Sequence, residues 1–314
     1  MRASFVVDSG PAIGLGHLSR SVLLLDALAR GGVACRLFTT DPAAAGSLGR
    51  EAEPLPDPLA HLPKTDLVVC DSYRLTEPDL AALRGRCRLL AALDDTAERP
   101  LPVDVVINHN LYAAQLDYAA LSAGKVLAGP DYALVNDKVM AAAHDHRTRA
   151  PDNSVVISFG GTDDGTRAAE VAAALVPLTD ARLDVIVAAN RDPGPAIRDL
   201  ARAHPGRVVL HHGADVPALL ARARLYLGAA GMMSFEAFAI GLILVVVPIA
   251  ENQRPGADAL LRYGHEMVAR FDAARLAETA AKCLKHPPMI TLSPIDGKGP
   301  DRLAAALMQE LARR

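Results

Sequence analysis

Tryptophan is absent from the 314 residues, and the aromatic residues together make up only 4% of the chain. So few rings leave nothing from which to build the stacking platforms that hold single-stranded nucleic acid. An excess of one charge is lacking too. The formal net charge is −3 with both signs interleaved, which excludes a nucleic-acid footprint or a polybasic membrane patch. No apolar run approaches the roughly 20 residues that a spanning helix requires. The longest, Gly241-Leu242-Ile243-Leu244-Val245-Val246-Val247-Pro248, has the length and branching of a buried parallel strand. Cysteine is scarce: Cys35, Cys70, Cys87 and Cys283 include no CxxC pair, which predicts reduced, mostly buried thiols. Arg2 is followed by neither a long apolar h-region nor a small-residue cleavage site, so a cytoplasmic location is expected. The absence of Gx4GK[ST], GxSxG and HExxH removes the commonest nucleotide-hydrolysing, serine-hydrolase and zinc-protease readings.

What is present is apolar residue in quantity, 51% of the chain, enough for two cores at this length. Short β-rich runs alternate with helical patterns throughout, the signature of α/β architecture with parallel sheets and crossover helices. In the first half the strands fall near Phe5-Val7, Cys35-Phe38, Asp66-Cys70, Leu89-Leu93, Val103-Ile107 and Val126-Leu127. The second half repeats the rhythm near Val155-Phe159, Leu183-Val187, Arg207-His211, Leu225-Gly228, Leu242-Val247 and Met267-Ala269. The polar segment 144–153 between the halves reads as a hinge. The expected organisation is two doubly wound, Rossmann-like domains, 1–143 and 154–300, facing each other across a cleft, with a last helix over 301–314. Ligands of such sheets bind at the carboxyl ends of the strands.

Three glycine turns follow strands. Gly14-Leu15-Gly16-His17 opens a helix with apolar residues at Leu18, Val22, Leu25 and Ala29. Unpaired N–H groups and the positive end of the dipole suit that turn to a diphosphate or a developing oxyanion, and they favour a neutral His17 that can act as a base. A dinucleotide fingerprint needs a third glycine where Ser19 stands, which counts against a nicotinamide enzyme. The alternative is an ordinary βα turn that happens to carry a histidine. Ser158-Phe159-Gly160-Gly161-Thr162-Asp163 lets a phosphate approach the backbone, or is a simple tight turn. Gly228-Ala229-Ala230-Gly231 precedes Ser234 and Glu236, whose carboxylate can accept from a ribose diol or merely complement the helix dipole. Glu251-Asn252-Gln253 lies at the end of the long apolar strand, where a polar ligand would be gripped. Asp71-Ser72-Tyr73 and Asp94-Asp95 also follow strands; capping and turn chemistry is the simpler account of Asp95. His144 and His146 have no companion ligands at metal spacing, so no metal is expected.

The ordered set of Asp8, Gly14-x-Gly16-His17-x-x-Arg20, Asp71-Ser72-Tyr73, Asp94-Asp95, Asn108-x-Asn110 and Gly129-Pro130-x-Tyr132 is recognisable when joined to the later turns, Glu236, Glu251-Asn252-Gln253 and Asp296-Gly297-x-Gly299. Over nearly the whole chain this resembles the nucleotide-sugar hydrolases of pseudaminic acid biosynthesis, relatives of the two-domain GT-B glycosyltransferases. The resemblance implies a GT-B-like fold and inverting, metal-independent hydrolysis of a UDP-linked 2,4-diacetamido-2,4,6-trideoxy sugar, without a cofactor. It implies that His17 deprotonates the attacking water, and that Gly14, Gly16, Tyr73, Asn252 and Gln253 contact the substrate. Gly160, Gly161, Asp163, Gly231, Ser234 and Glu236 would then hold the nucleotide. Departures from the family pattern are Val6 in place of an arginine, Met232 and Met233 in place of small hydroxyl residues, and Gly165 where an asparagine is usual; they bear on which sugar isomer is accepted. A glycosyltransferase using a UDP-amino sugar, and a binding protein without turnover, are the competing readings.

Overall fold

Runs of four to six β-branched and aliphatic residues form the principal strands, and the central ones are buried along their whole length, as parallel sheets covered on both faces require. The computed structural model describes every residue except Pro11, Ala12, Gly14, Thr162, Ala189 and Asn190. The chain divides into two units, Met1–Asn136 with Ile295–Arg314, and Asp137–Pro294.

The first unit runs β1 (Arg2–Val7), α1 (Gly16–Arg30), β2 (Ala34–Thr39), α2 (Pro42–Gly46), β3 (Glu53–Pro54), β4 (Leu67–Asp71), α3 (Glu77–Arg84), β5 (Leu89–Leu93), β6 (Val105–Asn108) and β7 (Lys125–Ala128). Its seven strands are parallel and ordered β3-β2-β1-β4-β5-β6-β7. The order reverses between β1 and β4, whose registered ends are Val7 and Asp71. Such a switch point opens a crevice at the strands' carboxyl ends, and both α1 and Asp71 begin there.

The second unit contains α4 (Asp137–Thr148), β8 (Ser154–Ser158), α5 (Thr166–Leu175), β9 (Arg182–Val187), α6 (Pro195–Ala203), β10 (Val208–His212), α7 (Val216–Arg222), β11 (Leu225–Ala229), α8 (Met232–Ile240), β12 (Ile243–Val247), α9 (Arg254–Arg262), β13 (Glu266–Met267) and α10 (Ala273–Lys285). Its parallel sheet is ordered β10-β9-β8-β11-β12-β13, and it too has a switch point, between β8 and β11. Gly228 permits that pairing, because a Cβ there would stand 1.8 Å from the Ser158 carbonyl oxygen. A last helix, α11 (Gly299–Ala312), returns to the first unit, where Leu303, Leu307 and Leu311 join Leu24 and Leu28 in one core. Each such leucine contributes about 1.5–3 kcal/mol through burial. Among the described residues no helix is long and apolar enough to cross a membrane.

Two expected boundaries are corrected. Residues 144–148 are the end of α4, so the division falls after Asn136 and not at a 144–153 hinge. The polar side chains that suggested a linker are the exposed face of a helix whose Val139, Ala142 and Ala143 are buried, and His146 Nδ1 bonds the Ala221 carbonyl at 3.0 Å. Residues 295–314 belong to the first unit because the leucine face of α11 fills the core beside α1.

Candidate active site

His17 stands on the first turn of α1, one residue after Gly16. Leu15, at the N-cap, offers no side-chain acceptor to the helix's leading N–H groups. The imidazole Nδ1 lies 2.5 Å from Asp71 Oδ1, at the end of β4. Asp71 also accepts Arg20 Nε at 2.7 Å and the second guanidinium nitrogen at 2.6 Å, a two-point clasp, and Ser21 Oγ at 3.0 Å. One helical turn places Arg20 on the same face as His17, and the sheet register brings Asp71 to both.

Arg20 is buried and reaches further. Its other terminal nitrogen donates to both Asp95 oxygens at 2.8 and 2.7 Å and to His109 Nε2 at 3.4 Å. Asp95 in turn accepts Asn110 Nδ2 at 2.6 Å and the Tyr73 hydroxyl. The Tyr73 ring stands edge-on to the imidazole, with centroids 4.7 Å apart and planes at 83°. Loops after β1, β4, β5 and β6 thus deliver one connected polar cluster, with Asp8 at the end of β1 accepting Ser72 Oγ at 2.6 Å.

Burial penalises the charge on Asp71, but Arg20 and His17 outweigh it and hold the carboxyl well below its usual range. Asp95 is lowered despite its burial, chiefly by Arg20. Burial likewise opposes the Arg20 charge, and the two carboxylates more than restore it. His109 is pushed down to about 4 by burial and then by Arg20, so it is neutral at physiological pH. Burial and Asp95 drive the Tyr73 phenol far above its ordinary value, so it remains a proton donor to that carboxylate. An ionised Asp71 can only accept, which makes Nδ1 of His17 the donor; in that tautomer of an uncharged imidazole Nε2 is the acceptor. The His17 side chain keeps 11% of its surface open. A positioned base backed by a carboxylate is the chemical capacity of this cluster. Among the described residues no three His, Cys, Asp or Glu side chains are grouped to hold a metal ion.

The second unit presents its glycine turns at its own switch point. Gly160 is in the left-handed region at φ 82°, and among the described residues nothing beyond the chain neighbours of Gly160 and Gly161 lies within 4 Å of where their Cβ atoms would be. Asp163 turns inward: its oxygens accept the Gly165 and Arg167 backbone N–H groups at 3.1 and 3.3 Å, which caps α5. Gly231 is the N-cap of α8 and offers no side-chain acceptor, while Ser234 Oγ donates back to the Gly231 carbonyl at 2.7 Å. Gln253 Oε1 accepts Ile249 N–H at 3.0 Å, with its amide nitrogen beside Gly231, whereas Asn252 is exposed. Glu236 has no hydrogen-bond partner among the described residues, and burial raises its carboxyl from 4.5 to about 7.

In the first unit the structure therefore brings His17, Gly16 and Tyr73 together; in the second it brings together Gly231, Ser234 and Gln253. Gly14, expected at the substrate, and Thr162 lie outside the described residues. Asp163 is engaged with the backbone of its own helix start. Asp95 is not the turn-capping residue that its position suggested: Asp94 takes that part, accepting Thr96 and Ala97 N–H at 3.1 and 2.7 Å. Asp71, Arg20 and Asn110 were visible as motif residues, but their convergence on His17 needs the β1–β4 adjacency, which no local pattern specifies.

No protein-family model matches the chain. It is 25% identical over 284 residues to the UDP-2,4-diacetamido-2,4,6-trideoxy-beta-L-altropyranose hydrolase of Campylobacter jejuni, a match covering 86% of this chain and 100% of that protein. Among solved structures it is similar to Arabidopsis thaliana UGT89C1 complexed with UDP, with a TM-score of 0.69 at 14% identity over 99% of each chain. The MurG protein of Acinetobacter baumannii matches with a TM-score of 0.63 at 14% identity, over 98% of this chain and 100% of that one. Glycosyltransferase VinC in complex with DTDP matches at 0.66 and 14%, over the full length of both. The two parallel, doubly wound sheets are thus those of the GT-B fold, and the chain is similar over most of its length to a nucleotide-sugar hydrolase.

Proposed function

We propose that the protein hydrolyses a UDP-linked 2,4-diacetamido-2,4,6-trideoxy sugar to UDP and the free sugar, in nonulosonic acid synthesis. The observation that carries this reading is the His17–Asp71 pair, which fixes the imidazole with Nε2 as the acceptor. Water bound at Nε2 attacks the anomeric carbon as its proton passes to the imidazole. The bond from that carbon to the β-phosphate oxygen breaks, and UDP departs with the electron pair. A diphosphate is a good leaving group, so stabilisation of its charge by N–H donors replaces a strong general acid. A single displacement inverts the anomeric centre, and no metal or cofactor is needed. Gly16 and Tyr73 border the base; Gly160, Gly161, Gly231, Ser234 and Glu236 are assigned to the nucleotide, and Asn252 and Gln253 to the substrate. The similarity to the Campylobacter jejuni hydrolase supports release to water. The glycosyltransferase VinC shares the fold and motivates a second reading, transfer to an acceptor hydroxyl activated by the same base.

Proton and phosphorus NMR of the protein with UDP-2,4-diacetamido-2,4,6-trideoxy-β-L-altropyranose and no acceptor tests the proposal. UDP and free sugar should appear in step, and His17→Ala should abolish most turnover while UDP still binds. Turnover that requires an acceptor would replace hydrolysis with transfer. Unchanged hydrolysis in His17→Ala would remove His17 from the mechanism.

A further inference from the structure

The geometry points to Arg20 as a positioning residue for His17, one that divides a single buried positive charge between Asp71, which holds the imidazole, and Asp95, which holds the Tyr73 ring against it. This rests on the role of His17 as the base.

A simple carboxylate–histidine pair needs one acid. Here two buried acids share one guanidinium, and each grips a different support of the same imidazole. His17 itself meets Asp71 from β4 at 2.5 Å, a guanidinium nitrogen of Arg20 from α1 at 3.2 Å and the Tyr73 ring; behind them Ser21 bonds Asp71, Asn110 bonds Asp95, and His109 approaches Arg20. Tyr73 keeps its proton and His109 is neutral, so two carboxylates and one guanidinium set the charge of the cluster. Arg20 thereby limits how strongly Asp71 draws a further proton onto the ring while still letting it orient the ring. An imidazole that already carries that proton cannot take one from water.

Charge sharing predicts opposite effects from removing the cation and removing one anion. In Arg20→Met the cluster gains net negative charge, and the acid limb of the kcat/KM profile should move up by about one pH unit. In Asp95→Asn the limb should move down. The double variant, Arg20→Met with Asp95→Asn, restores the wild-type charge and should bring the limb back to near its wild-type position. In each single variant kcat should fall at least about tenfold with little change in KM, because the base is displaced while the nucleotide contacts remain. Arg20→Lys keeps the charge but lacks the two-point fork, so its limb should stay in place while kcat falls. Should Arg20→Met fail to fold, Asp95→Asn and Arg20→Lys still decide the matter.

The same variants are to be followed by nitrogen-15 NMR of the His17 ring in the substrate-free protein, which reads protonation without turnover. Shifts of opposite sign in Arg20→Met and Asp95→Asn, cancelling in the double variant, would establish charge sharing. An unmoved response in Asp95→Asn, or a double variant that behaves like Arg20→Met, would overturn it and leave Arg20 a purely structural ion pair. Hydrolysis surviving His17→Ala would sink the functional reading, and the NMR series would still decide the charge-sharing proposal.

Discussion

Glu236 gives a prediction that stability alone can test. Its carboxyl is raised from 4.5 to about 7 by burial, with no hydrogen-bond partner among the described residues to offset the lost hydration. The folded protein therefore binds this proton more tightly than the unfolded chain does. Stability from the neutral acid is fully present below the unfolded value of 4.5 and is lost as pH rises to about 7. The shift corresponds to about 3 kcal/mol. Glu236→Gln keeps the shape and removes the charge, so above neutrality the variant should be the more stable protein. At pH 8 its advantage should be about 3 kcal/mol, shrinking to about 1 kcal/mol at pH 5. Urea unfolding of both proteins at the two pH values, followed by far-ultraviolet circular dichroism, measures this directly. A variant no more stable than wild type at pH 8, or an advantage that does not change with pH, would refute the reasoning. If Glu236 accepts hydrogen bonds from nucleotide hydroxyls, as proposed, the same substitution should weaken UDP binding by about tenfold or more. The carboxylate would then trade stability for binding.

Three other outcomes follow from particular contacts. Asp71→Asn lets the amide donate where the carboxylate accepted, which favours the wrong imidazole tautomer; kcat should fall by about 10²–10⁴-fold with UDP affinity retained in calorimetry. Gly228→Ala would drive a methyl group into the Ser158 carbonyl, 1.8 Å away, and should cost at least about 3 kcal/mol in urea unfolding. Leu307→Ala, in the core shared by α1 and α11, should cost about 2–5 kcal/mol and expose the first unit to proteolysis before the second.

The strand–helix rhythm was legible because buried parallel strands are continuous apolar runs, and β4, β5, β8, β11 and β12 are of that kind. The pair Glu53–Pro54 of β3 was not, since two residues carry no periodicity. Residues 144–153 resemble a hinge in sequence because the exposed His144, Asp145 and Arg147 at the end of α4 mask a narrow apolar stripe. In the site, His17 could be found from its place after a glycine turn, and Glu236 from its place on a helix start. The i, i+3 spacing of His17 and Arg20 was a usable signal that Arg20 would share the histidine's face. Its burial between Asp71 and Asp95 was not, because those acids lie 51 and 75 residues away in sequence and meet it only through strand order.

The return of α11 to the first unit inverts the order of synthesis and the order of completion. In the first unit β1 precedes every other element, yet that unit's core lacks Leu303, Leu307 and Leu311 until α11 has been made. The second unit, residues 137–294, is chemically complete before any of α11 exists. A nascent chain of this protein therefore carries an unfinished first unit while a finished second one folds behind it. Until α11 is made, the face of α1 that packs against it is an uncovered apolar surface.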